Sequence, residues 1–201
     1  MIRVLLADDQ AMVRGALATV LDLEPDIEVV AQVGSGDEVP AAARESTPDV
    51  ALLDVQMPGT DGLTAAAELR SQLPGCRVII CTTFGRPGYL ARAMAAGAAG
   101  FVVKDAPPEQ LVEAVRRVHK GLRVVDPALA AESLATGASP LTGRERDVLH
   151  AASDGSTVAD LAKALFLSEG TVRNHLSAAI GKTGARTRAE AVRMAEERGW
   201  L

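Results

Sequence analysis

Five positions in the first half of this 201-residue chain set charged or hydroxyl side chains at the ends of short apolar runs: Asp8 and Asp9, Asp54, Thr82 and Lys104. Three carboxylates converging on one edge repel each other and call for a divalent cation. All-oxygen ligands suit Mg²⁺, which prefers octahedral geometry and keeps waters. Such a cation also neutralises an incoming phosphoryl group, to which Lys104 adds a second positive charge and Thr82 a hydroxyl. A carboxylate at the centre of that site can act as a nucleophile and form an acyl phosphate, because phosphoryl transfer needs mostly positioning and charge neutralisation. Asp54 is the central candidate. The turn sequence after it, Met57-Pro58-Gly59 and then Asp61-Gly62, would hold the backbone carbonyl of Gln56 near the metal.

Those positions need a scaffold that delivers them to one edge. Apolar runs at 2–7, 27–33, 50–53, 78–81 and 101–103 are continuous rather than alternating, as expected of parallel strands covered on both faces. Between them, apolar residues recur at helical spacing: Val13, Leu17, Val20 and Leu21, then Leu63, Ala66 and Ala67, then Leu111, Val115 and Val118. Five such β-α repeats predict an α/β doubly wound five-stranded parallel sheet, whose functional groups gather at the carboxyl ends of the strands. Pro40 fits a helix only in its first turn, which predicts a helix start near Asp37.

Composition excludes several classes. With 48% hydrophobic and 23% charged residues the chain can bury a core, which rules out disorder; with 2% aromatics that core must be aliphatic. The opening MIRVLLADD stops its apolar run with two carboxylates instead of a cleavage site, and no stretch approaches the roughly 20 apolar residues of a membrane span. A cytoplasmic protein without membrane insertion is the expectation. Cys76 and Cys81 have no Cys or His cluster beside them and read as reduced packing residues.

From Leu122 the pattern changes. Residues 1–121 carry 11 Lys and Arg against 16 Asp and Glu, whereas residues 122–201 carry 10 against 10. The division predicted is 1–121, a linker over 122–139 that is partly helical around 128–134, and a small all-α four-helix domain over 140–201. Its helices fall at 143–153, 158–166, 169–183 and 188–198, sharing a core of Leu141, Val148, Leu149, Leu161, Leu165, Val172, Leu176 and Ile180. Thr142 with Glu145 is a capping-box pattern, and Ser168 is a good N-cap. Between Ser168 and Arg188 stand Arg173, Lys182, Arg186 and Arg188 against Glu169 alone, a local excess of positive charge that a polyanion would meet first.

Asp8-Asp9, Asp54 with its M-P-x-x-D-G continuation, Thr82 and the run Phe101 to Lys104 together resemble the receiver domain of bacterial two-component response regulators. The second half, from Leu141-Thr142 through Leu167-Ser168-x-Gly170-Thr171-Val172-Arg173-Asn174-His175-Leu176 to Gly184, resembles the LuxR-like helix-turn-helix of the NarL/FixJ family. The stretch Thr82-Thr83-Phe84-x-Arg86-Pro87-Gly88-Tyr89 and the Gly199-Trp200 ending are most similar to the DesR-like subgroup. The resemblance implies a flavodoxin-like strand order 2-1-3-4-5 and a transcriptional regulator rather than an enzyme. It implies a phosphoacceptor at Asp54, Mg²⁺ on Asp9, Asp54 and the Gln56 carbonyl with Asp8 helping through water, and Thr82 and Phe101 as the switch. On the helix 169–183, Thr171, Arg173, Asn174 and Ser177 would face a DNA major groove, with Lys182, Arg186 and Arg188 on phosphates. The implied partners are a cognate sensor histidine kinase, double-stranded promoter DNA and a second copy in a homodimer, with room for RNA polymerase.

Two departures stand out: Thr157-Val158 where the family has a Ser/Thr-Asn pair, and Thr183 where it has a buried Leu. The same residues bear on two rival readings. A Mg²⁺-dependent phosphatase would need a second carboxylate two residues after its nucleophile, where Gln56 stands. A regulator whose receiver serves only for dimerisation or ligand sensing would not need the complete Asp, Thr and Lys set.

Overall fold

The apolar runs form one parallel sheet of β1 (Ile2–Ala7), β2 (Ile27–Val33), β3 (Val50–Leu53), β4 (Arg77–Thr82) and β5 (Gly100–Val103), in the order β2-β1-β3-β4-β5. The computed structural model describes residues 1–83, 87–136 and 139–201. Phe84 and Arg86, part of the DesR-like stretch, lie outside the described residues. Strand order and topology are those expected, and the fourth and fifth strands extend slightly beyond the apolar runs. All four residues of β3 are buried, which is why its sequence shows no alternation.

The helices between the strands are α1 (Ala11–Asp22), α2 (Val39–Ser46), α3 (Gly62–Gln72), α4 (Pro87–Ala96) and α5 (Pro108–His119). Pro40 sits in the first turn of α2, after a 3-10 turn over Gly36–Glu38, where its missing N–H costs nothing. Leu21, Leu6, Ile79, Val115 and Val118 pack in one cluster that joins α1 and α5 to the sheet. Burying each such side chain contributes about 1.5–3 kcal/mol. Cys76 and Cys81 are buried and unbridged, and desolvation pushes their thiols up to about 11 and about 12. Both stay neutral packing groups.

Register delivers the sheet's polar residues. Ala7 pairs with Leu53, and the Asp54 N–H donates to the Ala7 carbonyl at 2.9 Å, so Asp8 and Asp54 emerge side by side. Thr82 pairs with Val103, and the Lys104 N–H donates to the Thr82 carbonyl at 2.8 Å. Asp61 caps α3 by accepting from the Thr64 N–H at 2.7 Å. At the start of that helix a Cβ on Gly62 would stand 1.8 Å from the Asp54 carbonyl oxygen, so only glycine lets α3 begin this close to β3.

The free edge of β5 is covered by the chain after α5. Phe101 N–H donates to the Val124 carbonyl at 2.8 Å and Val124 N–H to the Ala99 carbonyl at 3.0 Å. Such cover protects an edge strand from unwanted pairing. The expected linker then enters a helix, α6 (Pro127–Thr136), capped by the Asp126 carboxylate.

Two compact units divide the chain: Met1–Gly85 with Leu90–Ala131, and Arg86–Tyr89 with Glu132–Leu201. The second contains α7 (Gly143–Ala151), α8 (Val158–Ala164), α9 (Glu169–Thr183) and α10 (Arg188–Glu197). Three helices end earlier than their periodicity suggests, α10 by one residue. α7 passes into a 3-10 turn over Ala152–Asp154, and α8 stops before Phe166, whose φ of 54° breaks the right-handed path. Leu141, Val148, Leu149, Leu161, Val172 and Leu176 form the buried core with Trp200, while Leu165 and Ile180 are half-buried beside it.

Both departures from the family pattern have local solutions. Thr157 opens α8 with a capping box to Asp160. Thr183 is buried and its hydroxyl donates to the Ala179 and Ile180 carbonyls at 2.9 and 3.0 Å, so no polar atom is stranded. Glu145 does more than cap α7. Besides accepting from the Thr142 N–H at 2.7 Å, its carboxylate takes the Lys182 ammonium at 2.9 and 2.7 Å, tying α7 to the end of α9.

Gly62→Ala is expected to lower the thermal midpoint of the sheet-bearing unit by several degrees, because overpacking costs about 1–3 kcal/mol. Far-UV circular dichroism would measure it, and an unchanged midpoint would show that α3 has room to withdraw. A second expectation concerns Glu145, whose carboxyl the Lys182 ammonium holds below its ordinary 4.5. A depressed carboxyl contributes stability that is complete above its unfolded value and disappears as pH falls through the folded one. Trp200, the only tryptophan, is buried in this unit, so its fluorescence reports the unit's unfolding. Glu145→Gln should melt earlier than wild type at pH 7, and the gap should close below about pH 4.5. A gap constant with pH would mean that the charge contributes nothing.

Candidate functional site

At the carboxyl edge of the sheet the ligand oxygens of Asp8, Asp9 and Asp54 lie within 4.8 Å of one another. Asp8 and Asp54 are buried, and Asp9 is exposed. Lys104 completes the group from β5: its Nζ stands 2.7 Å from Asp8 Oδ2 and 2.9 Å from Asp54 Oδ2. The other oxygens are used too. Asp8 Oδ1 accepts from the Gln10 N–H at 2.9 Å, and Asp54 Oδ1 accepts from the Val55 N–H at 2.7 Å. Arg14 donates to the Asp8 backbone carbonyl.

Burial raises the Asp54 carboxyl above its ordinary 3.8, and the charge of Asp8 pushes the same way against the pull of Lys104. Burial lowers the Lys104 ammonium, but its hydrogen bonds to Asp8 and Asp54 outweigh that and leave it raised. Three carboxylates and one ammonium carry a formal charge of −2, the charge that one divalent cation balances. The donors are all oxygen and Asp9 opens the cluster to solvent, so the residues fit a hard cation such as Mg²⁺.

Thr82, the last residue of β4, is buried next to this edge, and Phe101 in β5 is 2% exposed. The sheet therefore collects Asp8, Asp9, Asp54, Thr82 and Lys104 at its carboxyl edge.

The second site lies on α9. Ser168 caps it by accepting from the Thr171 N–H at 3.1 Å, and Val172, Leu176 and Ala179 face the core. Arg173, Asn174 and Ser177 are exposed, Thr171 and His175 half-buried. Arg173 pairs with Glu169 one turn earlier at 2.7 Å. The remaining cations differ in their surroundings. Lys182 is bound to Glu145, Arg188 donates to the Ser156 and Gly155 carbonyls at 2.6 and 3.2 Å, and Arg186 is exposed. Neither the Lys182–Glu145 pair nor the Arg188 contacts were foreseen, since their partners stand 32 to 37 residues away with no local pattern to announce them.

Residues 4–116 match the response regulator receiver domain, and residues 139–195 match the bacterial regulatory proteins of the luxR family. The transcriptional regulatory protein DesR of Bacillus subtilis is 42% identical over all of both chains. The DNA-binding transcriptional activator DevR/DosR of Mycobacterium tuberculosis is 36% identical over 98% of this chain and 95% of its own. Among solved structures, the response regulator ChrA of a heme-sensing two-component system aligns over 100% of this chain and 98% of its own, with 34% identity and a TM-score of 0.59. These relatives are regulators of transcription and its signalling, not enzymes, and no helix among the described residues is long and apolar enough to cross a membrane. The two family matches and the full-length likeness agree: the chain belongs to the two-component response regulators with a LuxR-type DNA-binding domain.

Proposed function

We propose that Asp54 is phosphorylated by a cognate histidine kinase, and that this drives homodimerisation and promoter binding through α9. The observation that carries the reading is the sharing of one buried ammonium, Lys104, by Asp8 and Asp54 beside the open carboxylate of Asp9. An Asp54 carboxylate oxygen attacks phosphorus; a P–O bond forms as the donor's P–N bond breaks, and the leaving nitrogen takes up a proton. Asp9, Asp54 and the Gln56 backbone carbonyl would hold Mg²⁺, with Asp8 assisting. When bound, the ion neutralises charge on the phosphoryl oxygens. Lys104 turns from carboxylates to a phosphoryl oxygen, and the Thr82 hydroxyl follows to another.

The switch then runs along β5. Phe101, three residues before Lys104, is bonded through its N–H to Val124, so a shift of the strand reaches the chain that leads into α6. Phosphorylation acts by population shift, favouring the arrangement that dimerises and presents α9. In the DNA complex Thr171, Arg173, Asn174 and Ser177 meet base edges, Arg173 suiting guanine and Asn174 adenine. Arg186 meets phosphate, and Lys182 and Arg188 add to the field near the backbone while held by their protein partners. A symmetric dimer places two half-sites about one DNA turn apart.

Incubation with acetyl phosphate and Mg²⁺ should add one phosphoryl group by intact mass and shift the protein to a dimer on sizing chromatography. The adduct should be absent in Asp54→Asn, and also in wild type with EDTA. An adduct that persists in Asp54→Asn would refute the assignment. No adduct with any donor or kinase would favour a receiver that works without phosphorylation. Arg173→Ala should weaken binding to a duplex selected from a random pool by about tenfold or more, measured by fluorescence anisotropy; equal affinity would remove α9 as the reading helix.

A further inference from the structure

Phe166 is 94% exposed and adopts φ 54°, in the turn between α8 and α9. The turn is a complete helix-ending motif. Leu167 N–H donates to the Ala162 carbonyl at 2.9 Å and Phe166 N–H to the Lys163 carbonyl at 3.3 Å, the paired bonds that place the intervening residue in the left-handed region. Glycine is the residue suited to that position. This same domain uses it after its 3-10 turn at Gly155 and after α9 at Gly184, with φ of 85° and 74°. After α8 it instead carries a bulky aromatic, which strains the backbone and wets a large apolar surface at once. Among the described residues nothing offsets that, because the ring is not part of the domain core, whereas the neighbouring Leu167 packs against that core.

The location supplies the missing partner. Phe166 stands two residues before Ser168, the N-cap of α9, at most about 7 Å away along the chain. A recognition helix places its N-terminal residues against base edges, which brings the turn just before it close to the groove. The exposed residues Arg173, Asn174 and Ser177 bring hydrogen-bonding groups to that surface but no large apolar one. The apolar feature that the major groove offers is the C5-methyl of thymine, and Phe is among the side chains suited to it.

From this we infer that Phe166 is a specificity-determining DNA contact that reads a thymine methyl group beside the polar contacts of α9. The inference rests on the DNA-binding reading of α9.

Its test uses full-length, acetyl phosphate-treated protein and a duplex selected on wild type from a random pool, in normal form and with every thymine replaced by uracil. Phe166→Gly should unfold a few degrees higher by Trp200 fluorescence, because glycine relieves the left-handed strain. It should nevertheless bind the thymine duplex about tenfold more weakly. Wild type should lose affinity on the uracil duplex, whereas Phe166→Gly should bind both duplexes alike. Phe166→Asn, also tolerant of positive φ, should behave as the glycine variant does. If both variants bind like wild type while Arg173→Ala fails, the inference about Phe166 is wrong and the reading of α9 stands. If Arg173→Ala also binds like wild type, the reading of α9 falls and this inference with it. Unchanged affinity together with a lost dimer on sizing would reassign the ring to a protein contact. Weaker binding with thymine discrimination intact would refute the methyl contact.

Discussion

Asp8 and Asp54, both buried at the end of neighbouring strands, share a single ammonium from Lys104 at 2.7 and 2.9 Å. Placing two carboxylates side by side away from water is costly, and the cost is offset only while a cation stands between them. Each partner comes from a different strand: β1, β3 and β5. The parallel register fixes all three, because the ladder bonds from Asp54 to Ala7 and from Lys104 to Thr82 leave these side chains no other edge. Removing the ammonium would strand a buried charge, at a cost of about 3–5 kcal/mol. The edge is thus held by a charge that can be exchanged, and in the proposed cycle a cation or phosphoryl group would compete for the same atoms.

That competition is what a switch requires. In the proposed cycle Lys104, held by two carboxylates, would be freed as a divalent cation took over their neutralisation and would then be drawn to the oxygens of a phosphoryl group. Lys104 follows β5 directly, and β5 is short, with Phe101 near its start and Val124 paired along its outer side. In the proposed cycle a change at Lys104 is therefore felt at Phe101 and at the chain entering α6 within one strand's length. No longer path through the core is needed, and a densely packed core responds by discrete rearrangement rather than continuous strain.

The receiver was legible in the sequence because its signals are local. Continuous apolar runs marked buried parallel strands, and the polar residue after each run marked the functional edge; Asp8, Asp54 and Lys104 needed no knowledge of the tertiary structure to be singled out. The small domain was legible in its caps and in α9, where Ser168, Val172 and Leu176 keep one face. The sequence did not reveal contacts between distant groups. Glu145 read as half of a capping box, and its second role, holding Lys182, depends on how α7 crosses α9. The sequence reads Phe166 as the last residue of a helix, because the bonds from Leu167 to Ala162 and from Phe166 to Lys163, which turn the backbone left-handed, leave no local pattern.

Charge counting along the second half is corrected by the same long-range contacts. Of the four cations between Ser168 and Arg188, Lys182 is neutralised by Glu145 and Arg188 is spent on two backbone carbonyls. Arg173 pairs with Glu169, but both side chains are at least half exposed, and such surface pairs within a helix contribute only about 0.3–0.5 kcal/mol. A bidentate contact to guanine offers about 1–3 kcal/mol of discrimination, enough to draw Arg173 away from its neighbour. Glu145, in contrast, is 6% exposed, and pulling Lys182 from it would leave a carboxylate unpaired inside the domain. If α9 reads DNA as proposed, affinity on this surface rests less on accumulated charge than the sequence suggests, and more on the few side chains that are free to leave their partners.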